Sequence, residues 1–172
     1  MYGYIKGKVT EIDFNCITLE NNGIGYLILV PNPYSYRLNE VVTIYTYTKV
    51  AEDEFTLYGF QTREQKELFL KLISVKGLGP KMALPIIATG TSTAIADAVE
   101  NNNLNYLKKF PKIGDKVAKQ MVLDLRGKLN AMNTGLFAKE DLSDELTDVL
   151  IGLGYKQADV KKVVNQVNRD SS

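Results

Sequence analysis

Apolar and polar residues alternate over roughly the first sixty positions of the chain, in the two-residue period of β-strands. Clusters of Gly, Asn and Pro such as ENNGIG and PNPYS separate five segments that are rich in Ile, Val, Thr, Tyr and Phe. These segments are YIKGKVTEI, CITLE, GYLILVP, VVTIYTYTKV and EFTLYGF. A small barrel can close with five strands, as the OB fold does. The pattern therefore predicts an OB-like β-barrel over residues 1–62.

A helical period replaces the alternation after Thr62. Thr62 and Gln65 have the spacing of a capping box, and apolar residues then recur on one helix face at Leu68, Phe69, Leu72 and Ile73. Further helices are predicted near residues 80–88, 92–101, 103–109 and 115–128. Residues 131–142 lose the period and indicate a linker, and residues 143–172 predict two short helices around the turn GLGY. We expect an α+β chain whose middle helical domain spans residues 63–130.

Charge is distributed unevenly behind a formal net charge of +1. Residues 1–62 hold four basic and seven acidic residues, residues 63–130 hold twelve and six, and residues 131–172 hold five and seven. A basic segment between two acidic ones indicates a polyanionic partner, because Lys and Arg neutralise phosphates in nucleic-acid binding. The alternative, a lysine-rich face in contact with solvent, stays open on charge alone.

Composition favours a soluble cytoplasmic protein with no membrane partner. Apolar residues make up 45% and charged residues 24% of the chain, and no apolar run approaches the ~20 residues that span a membrane. The start MYGYIKGKV leads into strand-like sequence, so no signal peptide is expected. The lone Cys16 cannot form an internal disulfide and is expected in the core.

The basic segment contains an internal repeat. VKGLGPKMA (75–83) and FPKIGDKVA (110–118) align without gaps, thirty-five residues apart, and each is predicted to follow one helix and open another. This is the helix–hairpin–helix pattern: glycines let the backbone turn tightly, N–H groups at the next helix start point at an anion, and a lysine adds charge. Such contacts carry no base code, so binding should be independent of DNA sequence. The alternative is a glycine-capped corner without a ligand.

The second copy departs from the first at Lys112, which stands where the first copy has Gly77. We expect Lys112 to lose access to positive φ and so to make this hairpin less ideal. Its ammonium group would add a cation near the phosphate, so the contact should survive in altered form.

Catalytic groups are scarce in the sequence. We expect no catalytic residues, no metal site and no cofactor. The chain has no histidine and one cysteine, and GLGPKMA lacks the spacing and the Ser/Thr of a P-loop. Glu52, Asp53 and Glu54 could bind a divalent metal for phosphodiester hydrolysis. Consecutive strand residues point to alternate faces, however, and no second acidic motif converges on them. A nuclease therefore stays a minor alternative.

The order of these segments resembles the RuvA family, the Holliday-junction-binding subunits of the bacterial branch-migration complex. The resemblance spans essentially the whole chain and is most specific in EDEFTLYGF, KGLGPKMAL, FPKIGDKVAKQMVLDL and LIGLGYKQADV. It implies a non-catalytic homotetramer, sometimes doubled to an octamer, that holds a four-way junction open in a square plane for recombination and repair. The implied partners are the hexameric RuvB motor, which uses ATP and Mg²⁺, and the RuvC resolvase.

The resemblance also assigns residues. The DNA-binding candidates are Gly77, Leu78, Gly79 and Lys81 in the first hairpin and Lys112, Ile113, Gly114, Lys116 and Lys119 around the second. Glu52 and Asp53 match the family's acidic pin, while Glu54 is an additional acid without an assigned role. Residues 143–172 match the small, UBA-like, motor-binding domain but predict two helices instead of three, so we expect altered motor engagement. Its candidate contacts are Leu150, Leu153 and Tyr155.

A general binder of single strands or DNA ends is the main alternative from another class. It would use the barrel as a platform on which bases stack against aromatic side chains. Alternating tyrosines in strands also serve ordinary sheet packing. The candidates for stacking are Tyr2, Tyr4, Tyr26, Tyr34, Tyr36, Tyr45 and Tyr47.

Overall fold

Five strands form a closed barrel at the N-terminal end of the chain, as the sequence predicts. In this computed structural model, which describes residues 1–52 and 54–129, the order around the barrel is β1-β2-β3-β5-β4. Neighbouring strands are antiparallel except β3 and β5, which pair in parallel. The strands are β1 (Tyr4–Ile12), β2 (Cys16–Asn21), β3 (Ile24–Leu29), β4 (Val41–Ala51) and β5 (Glu54–Phe60).

The barrel interior is filled by alternate residues of every strand. Val9, Ile17 and Ile44 are fully buried there, and Cys16 is buried as expected, which raises the pKa of its thiol. Gly59 lies where an added Cβ would collide with the methyl groups of Ile28 and Ile44. This glycine is therefore required by close packing, and the barrel closes tightly around it.

Five α-helices follow the barrel within the part of the chain that the structure describes. Thr62 caps the first helix, accepting a hydrogen bond from the Gln65 N–H at 3.2 Å, which confirms the predicted capping position. Thr91 and Asn103 cap the third and fourth helices in the same way. The helices are α1 (Arg63–Ile73), α2 (Pro80–Thr89), α3 (Ser92–Glu100), α4 (Leu104–Leu107) and α5 (Asp115–Leu125).

The last strand and the helices share one hydrophobic cluster. Phe69 of α1 lies at the centre of an aromatic group, with its ring centroid 4.7 Å from that of Phe60 and 5.5 Å from those of Tyr47 and Tyr58. Offset and edge-on aromatic pairs of this kind add to the stabilisation from burial. The packing fixes the β4–β5 hairpin relative to α1 and α2, and all described residues belong to one compact unit, Met1–Asn133.

None of the helices in the described part of the chain could span a membrane alone. Together, α2 and α3 are long and apolar enough to cross a membrane, but the chain bends by 108° between them.

Candidate nucleic-acid interface

The first hairpin connects α1 to α2. Its turn contains Gly77, whose φ of +89° lies in the left-handed region, and Gly79 precedes α2 as its N-cap. Leu78 points inward and is buried, so it anchors the turn to the helical core. Lys81 follows in the first turn of α2, with 74% of its side chain exposed. The turn thus presents its backbone and the ammonium group of Lys81 to solvent.

The second hairpin connects α4 to α5 in the same conformation. Ile113 is buried like Leu78, and Gly114 is the N-cap of α5. Lys116 and Lys119 are exposed on the first turns of α5. The buried positions of Leu78 and Ile113 mean that either residue can reach DNA only through its backbone.

Hydrogen bonds repeat between the two hairpins at the same spacing of thirty-five residues. Val75 N–H donates to the Leu72 carbonyl at 3.1 Å, and Phe110 N–H donates to the Leu107 carbonyl at 3.3 Å. Two further bonds recur in the same register. The Leu78 N–H donates to the Val75 carbonyl (3.1 Å), as the Ile113 N–H does to the Phe110 carbonyl (3.2 Å). The Ala83 N–H donates to the Gly79 carbonyl (3.0 Å), as the Ala118 N–H does to the Gly114 carbonyl (2.9 Å). The sequence repeat is therefore a repeat of backbone geometry.

Each hairpin leaves a matching set of N–H groups without an acceptor in the described residues. In the first, these are the N–H groups of Gly77, Gly79 and Lys81, and in the second those of Lys112, Gly114 and Lys116. N–H groups at a helix start carry the positive end of the helix dipole and bind anions. Two such sets beside exposed lysines fit two phosphates.

The expectation that Lys112 loses positive φ is wrong. Lys112 has φ of +66°, close to the conformation of Gly77 in the first hairpin. The left-handed region is strained for a side chain with a Cβ but accessible when the surrounding turn imposes it. The repeated hydrogen bonds and the buried Ile113 impose it here, so the second hairpin keeps its geometry.

Two acids lie close to the hairpins. The Asp124 carboxylate accepts hydrogen bonds from the Gln120 amide at 2.9 Å and from the Lys76 N–H at 3.2 Å, and both bonds lower the pKa of this carboxyl. Asp115 opens α5 and pairs with Lys108 at 2.9 Å, which lowers its pKa in turn. Asp124 therefore ties the first hairpin to α5.

The third acidic feature is the β4–β5 hairpin, where Ala51 pairs with Glu54 and two residues connect the strands. Glu52 lies exposed in this turn, and Asp53 lies outside the described residues. Glu54 belongs to β5 and pairs with Lys49 at 2.8 Å. Of the two residues of the predicted acidic pin, the structure therefore describes only Glu52, which lies in the β4–β5 turn.

Sequence reasoning missed the contact of Asp124 with Lys76 and that of Glu54 with Lys81. Asp124 lies 48 residues from Lys76, and Glu54 lies 27 residues from Lys81, its second lysine at 3.8 Å. No local spacing signals contacts this distant in the sequence. Leu150, Leu153 and Tyr155, with the rest of the predicted linker and tail, lie outside the described residues.

Two observations bear on the alternatives of a nuclease and a single-strand binder. Within residues 1–52 and 54–129, no three His, Cys, Asp or Glu side chains form a group that could hold a metal ion. Of the tyrosines considered for stacking, Tyr36 is buried and Tyr47 packs against Phe69. Tyr2 packs edge-on against Tyr26, with ring centroids 5.9 Å apart. Tyr4 and Tyr34 are exposed, so packing within the fold accounts for only some of these rings.

Comparison with known proteins agrees with the geometry. Residues 1–59 match the family model of the RuvA N terminal domain, and residues 69–128 match that of the SAM-like Helix-hairpin-helix tandem. The Holliday junction branch migration complex subunit RuvA of Acholeplasma laidlawii (strain PG-8A) is 46% identical over 170 residues, which cover 99% of this chain and 91% of that protein. The proteins of the same name from Streptococcus pyogenes serotype M28 (strain MGAS6180) and Streptococcus pneumoniae (strain CGSP14) are each 45% identical over 95% of this chain, and 87% and 88% of those proteins are covered. The barrel, the tandem hairpins and this similarity along nearly the whole sequence show that the chain belongs to the RuvA family.

Proposed function

We propose that this chain is a non-catalytic, structure-specific DNA-binding subunit that binds four-way junctions as a homotetramer and loads a RuvB-type motor for branch migration. The observation that carries the proposal is the pair of hairpins with one hydrogen-bond pattern, exposed lysines and matching N–H groups that find no acceptor among the described residues. A single turn of this kind can be a structural corner. Two in register, in a segment with twelve basic and six acidic residues, form a surface for a phosphate backbone.

Each hairpin would bind one strand through its phosphates. The free N–H groups contact phosphate oxygens, and Lys81 and Lys116 supply charge from the same position of their helices. Since neither contact reads a base edge, binding should follow the shape of the DNA rather than its sequence. Fourfold repetition would supply four such pairs, one for each arm of a junction.

The β4–β5 turn supplies the opposite charge. Glu52 is exposed there, and fourfold assembly would bring four copies of the turn to the point where strands exchange. Carboxylates at that point repel phosphates at short range, where screening by salt is weakest. Glu52 and Asp53 would thus keep the crossover open. Neutralising both to Gln and Asn should change DNA binding and the rate of branch migration, and unaltered behaviour in both assays would contradict this role.

The partners follow from the family. The motor would supply the ATPase, so the subunit itself needs neither nucleotide nor metal, and a RuvC-type resolvase could act on the same junction. Residues 143–172, with Leu150, Leu153 and Tyr155, are proposed as the motor-binding segment. Stimulation of the motor ATPase on junction DNA should fall when these residues are deleted, and undiminished stimulation would contradict the assignment.

Gel-shift titration with four-way, linear duplex and single-stranded DNA of equal length tests the main proposal. We expect the four-way substrate to bind tightest, and Lys81→Ala with Lys116→Ala to weaken that binding. Lys8→Ala, at an exposed position of β1, is the control for each of the two single substitutions, because it removes one cation from an element that belongs to neither hairpin. Equal affinity for the three substrates would favour the alternative of a general single-strand or DNA-end binder and overturn the proposal.

A further inference from the structure

Glu54 lies between two lysines from different parts of the fold. Its Oε2 is 2.8 Å from Lys49 Nζ on the neighbouring strand β4, and its Oε1 is 3.8 Å from Lys81 Nζ at the start of α2. Thr56 on the same strand donates its hydroxyl to Oε1 at 3.0 Å. One carboxylate therefore connects the β4–β5 hairpin with the first DNA-binding hairpin.

The two lysines are held unequally. Lys49 makes a short charge-assisted hydrogen bond to Glu54, and each of the two side chains is 34% exposed. Lys81 is 74% exposed, and its Nζ lies beyond hydrogen-bond distance of the carboxylate. Lys49 thus holds Glu54 in place, whereas Lys81 is only attracted to it and can leave at low cost.

The charge state of Glu54 supports this arrangement. The hydrogen bonds from Lys49 and Thr56, together with the positive charges of both lysines, lower the pKa of the carboxyl. Glu54 is therefore ionised at neutral pH. Its negative charge faces the ammonium group that the proposed function assigns to a DNA phosphate.

We infer that Glu54 is a positioning residue for DNA binding, which attracts Lys81 in the free protein and competes with the DNA phosphate for it. This inference rests on the proposed function, since it concerns the same hairpin. When a phosphate binds, Lys81 exchanges the carboxylate for the phosphate while Lys49 stays paired with Glu54. The exchange weakens binding at this hairpin relative to a free lysine.

The second hairpin offers an internal comparison. Lys116 occupies the position of Lys81 there and forms no ion pair among the described residues. The acid next to it, Asp115, pairs with Lys108 instead. Any effect of Glu54 should therefore depend on Lys81 and be independent of Lys116.

A double-mutant cycle on the full chain measures this dependence by titrating a four-way junction. We expect Glu54→Gln to tighten binding by about two- to fivefold for each subunit in contact with DNA, the range that an exposed ion pair supplies. The gain should shrink as salt is added. It should disappear in the Lys81→Ala background and persist in the Lys116→Ala background. Glu11→Gln, at an exposed position of β1, is the control for the loss of one negative charge.

The outcomes separate the inference from the proposed function. If the wild-type chain does not prefer the four-way junction, the proposed function itself fails. If the wild type binds the junction but Glu54→Gln binds no tighter than Glu11→Gln, the competition is absent and the inference is overturned. A gain that persists in the Lys81→Ala background would mean simple repulsion between Glu54 and DNA, which also overturns it.

Discussion

Replacing Lys112 by glycine should separate fold stability from DNA binding in the second hairpin. Lys112 has φ of +66°, and a left-handed conformation costs a residue with a Cβ about 1–2 kcal/mol. Glycine removes this strain but adds about 0.5–1 kcal/mol of conformational entropy to the unfolded chain. The expected balance for Lys112→Gly is a free energy of unfolding that is unchanged or raised by up to about 1.5 kcal/mol.

DNA binding should change in the opposite direction. Lys112→Gly removes one cation from the proposed phosphate site, so the logarithmic dependence of the junction affinity on salt should become shallower by about 0.9 for each phosphate that the protein no longer neutralises. The affinity at low salt should fall with it. A variant that is as stable as the wild type but binds DNA more weakly would show that Lys112 serves the DNA rather than the fold.

Two further variants complete this test. Lys112→Ala removes the same charge but keeps the strained backbone, so it should bind DNA like Lys112→Gly without the gain in stability. Gly77→Lys creates the converse change in the first hairpin, where an added Cβ meets no atom within 4 Å and only the φ of +89° is strained. We expect it to lower the free energy of unfolding by about 1 kcal/mol.

Urea unfolding followed by circular dichroism at 222 nm gives the stabilities, and fluorescence anisotropy of a labelled junction at several salt concentrations gives the binding. The reasoning would be refuted if Lys112→Gly lowered the free energy of unfolding by more than Lys112→Ala. That result would mean that the backbone at Lys112 is not under left-handed strain.

Three other changes test the fold around the site. Gly59→Ala should lower the free energy of unfolding by about 1–3 kcal/mol in urea titrations, because the new methyl group collides with two core isoleucines. Asp124→Ala should weaken junction binding in the anisotropy assay, since the Lys76 N–H loses its acceptor, whereas Asp124→Asn keeps an acceptor oxygen and should bind like the wild type. The Asp115–Lys108 ion pair should make the free energy of unfolding depend on pH in the acidic range. Because the folded-state pKa of Asp115 is lowered, the pair stabilises the fold above an unfolded-state pKa of about 4 and loses this effect as the pH falls through the folded-state value. Urea titrations from neutral pH to about pH 2 should therefore show a smaller loss of stability for Asp115→Asn than for the wild type.

The sequence predicted the fold well where short-range patterns decide it. All five strands lie within two residues of their predicted limits, because alternation and turn residues are local signals. The helix limits were less accurate: α5 was expected to reach residue 128 but ends at Leu125. Arg126 leaves the helical region and Gly127 adopts φ of +75°, and the sequence does not show which residue before a glycine ends a helix.

The sequence predicted the two repeated hairpins of the candidate site, but it did not predict which charged side chains contact them. The spacing of thirty-five residues revealed both hairpins, yet it gave the wrong conformation for Lys112, because residue preference alone disfavours positive φ there. The turn is imposed by tertiary packing, above all by the buried Ile113. The contacts of acidic residues with the hairpins could not be predicted from the sequence either, because Glu54 belongs to the barrel and Asp124 to the end of α5.

The two hairpins therefore share a backbone but differ in electrostatics. The first begins its helix with Pro80 and has its lysine attracted by Glu54, while the second begins with Asp115 and carries an additional cation at Lys112. A carboxylate in the first turn stabilises α5 through the helix dipole but occupies the region where a phosphate would bind. Lys108 offsets that charge at 2.9 Å. Because hydrogen-bond geometry fixes where a phosphate can bind and the neighbouring acids fix how strongly, two geometrically equivalent hairpins can bind one DNA arm with unequal strength.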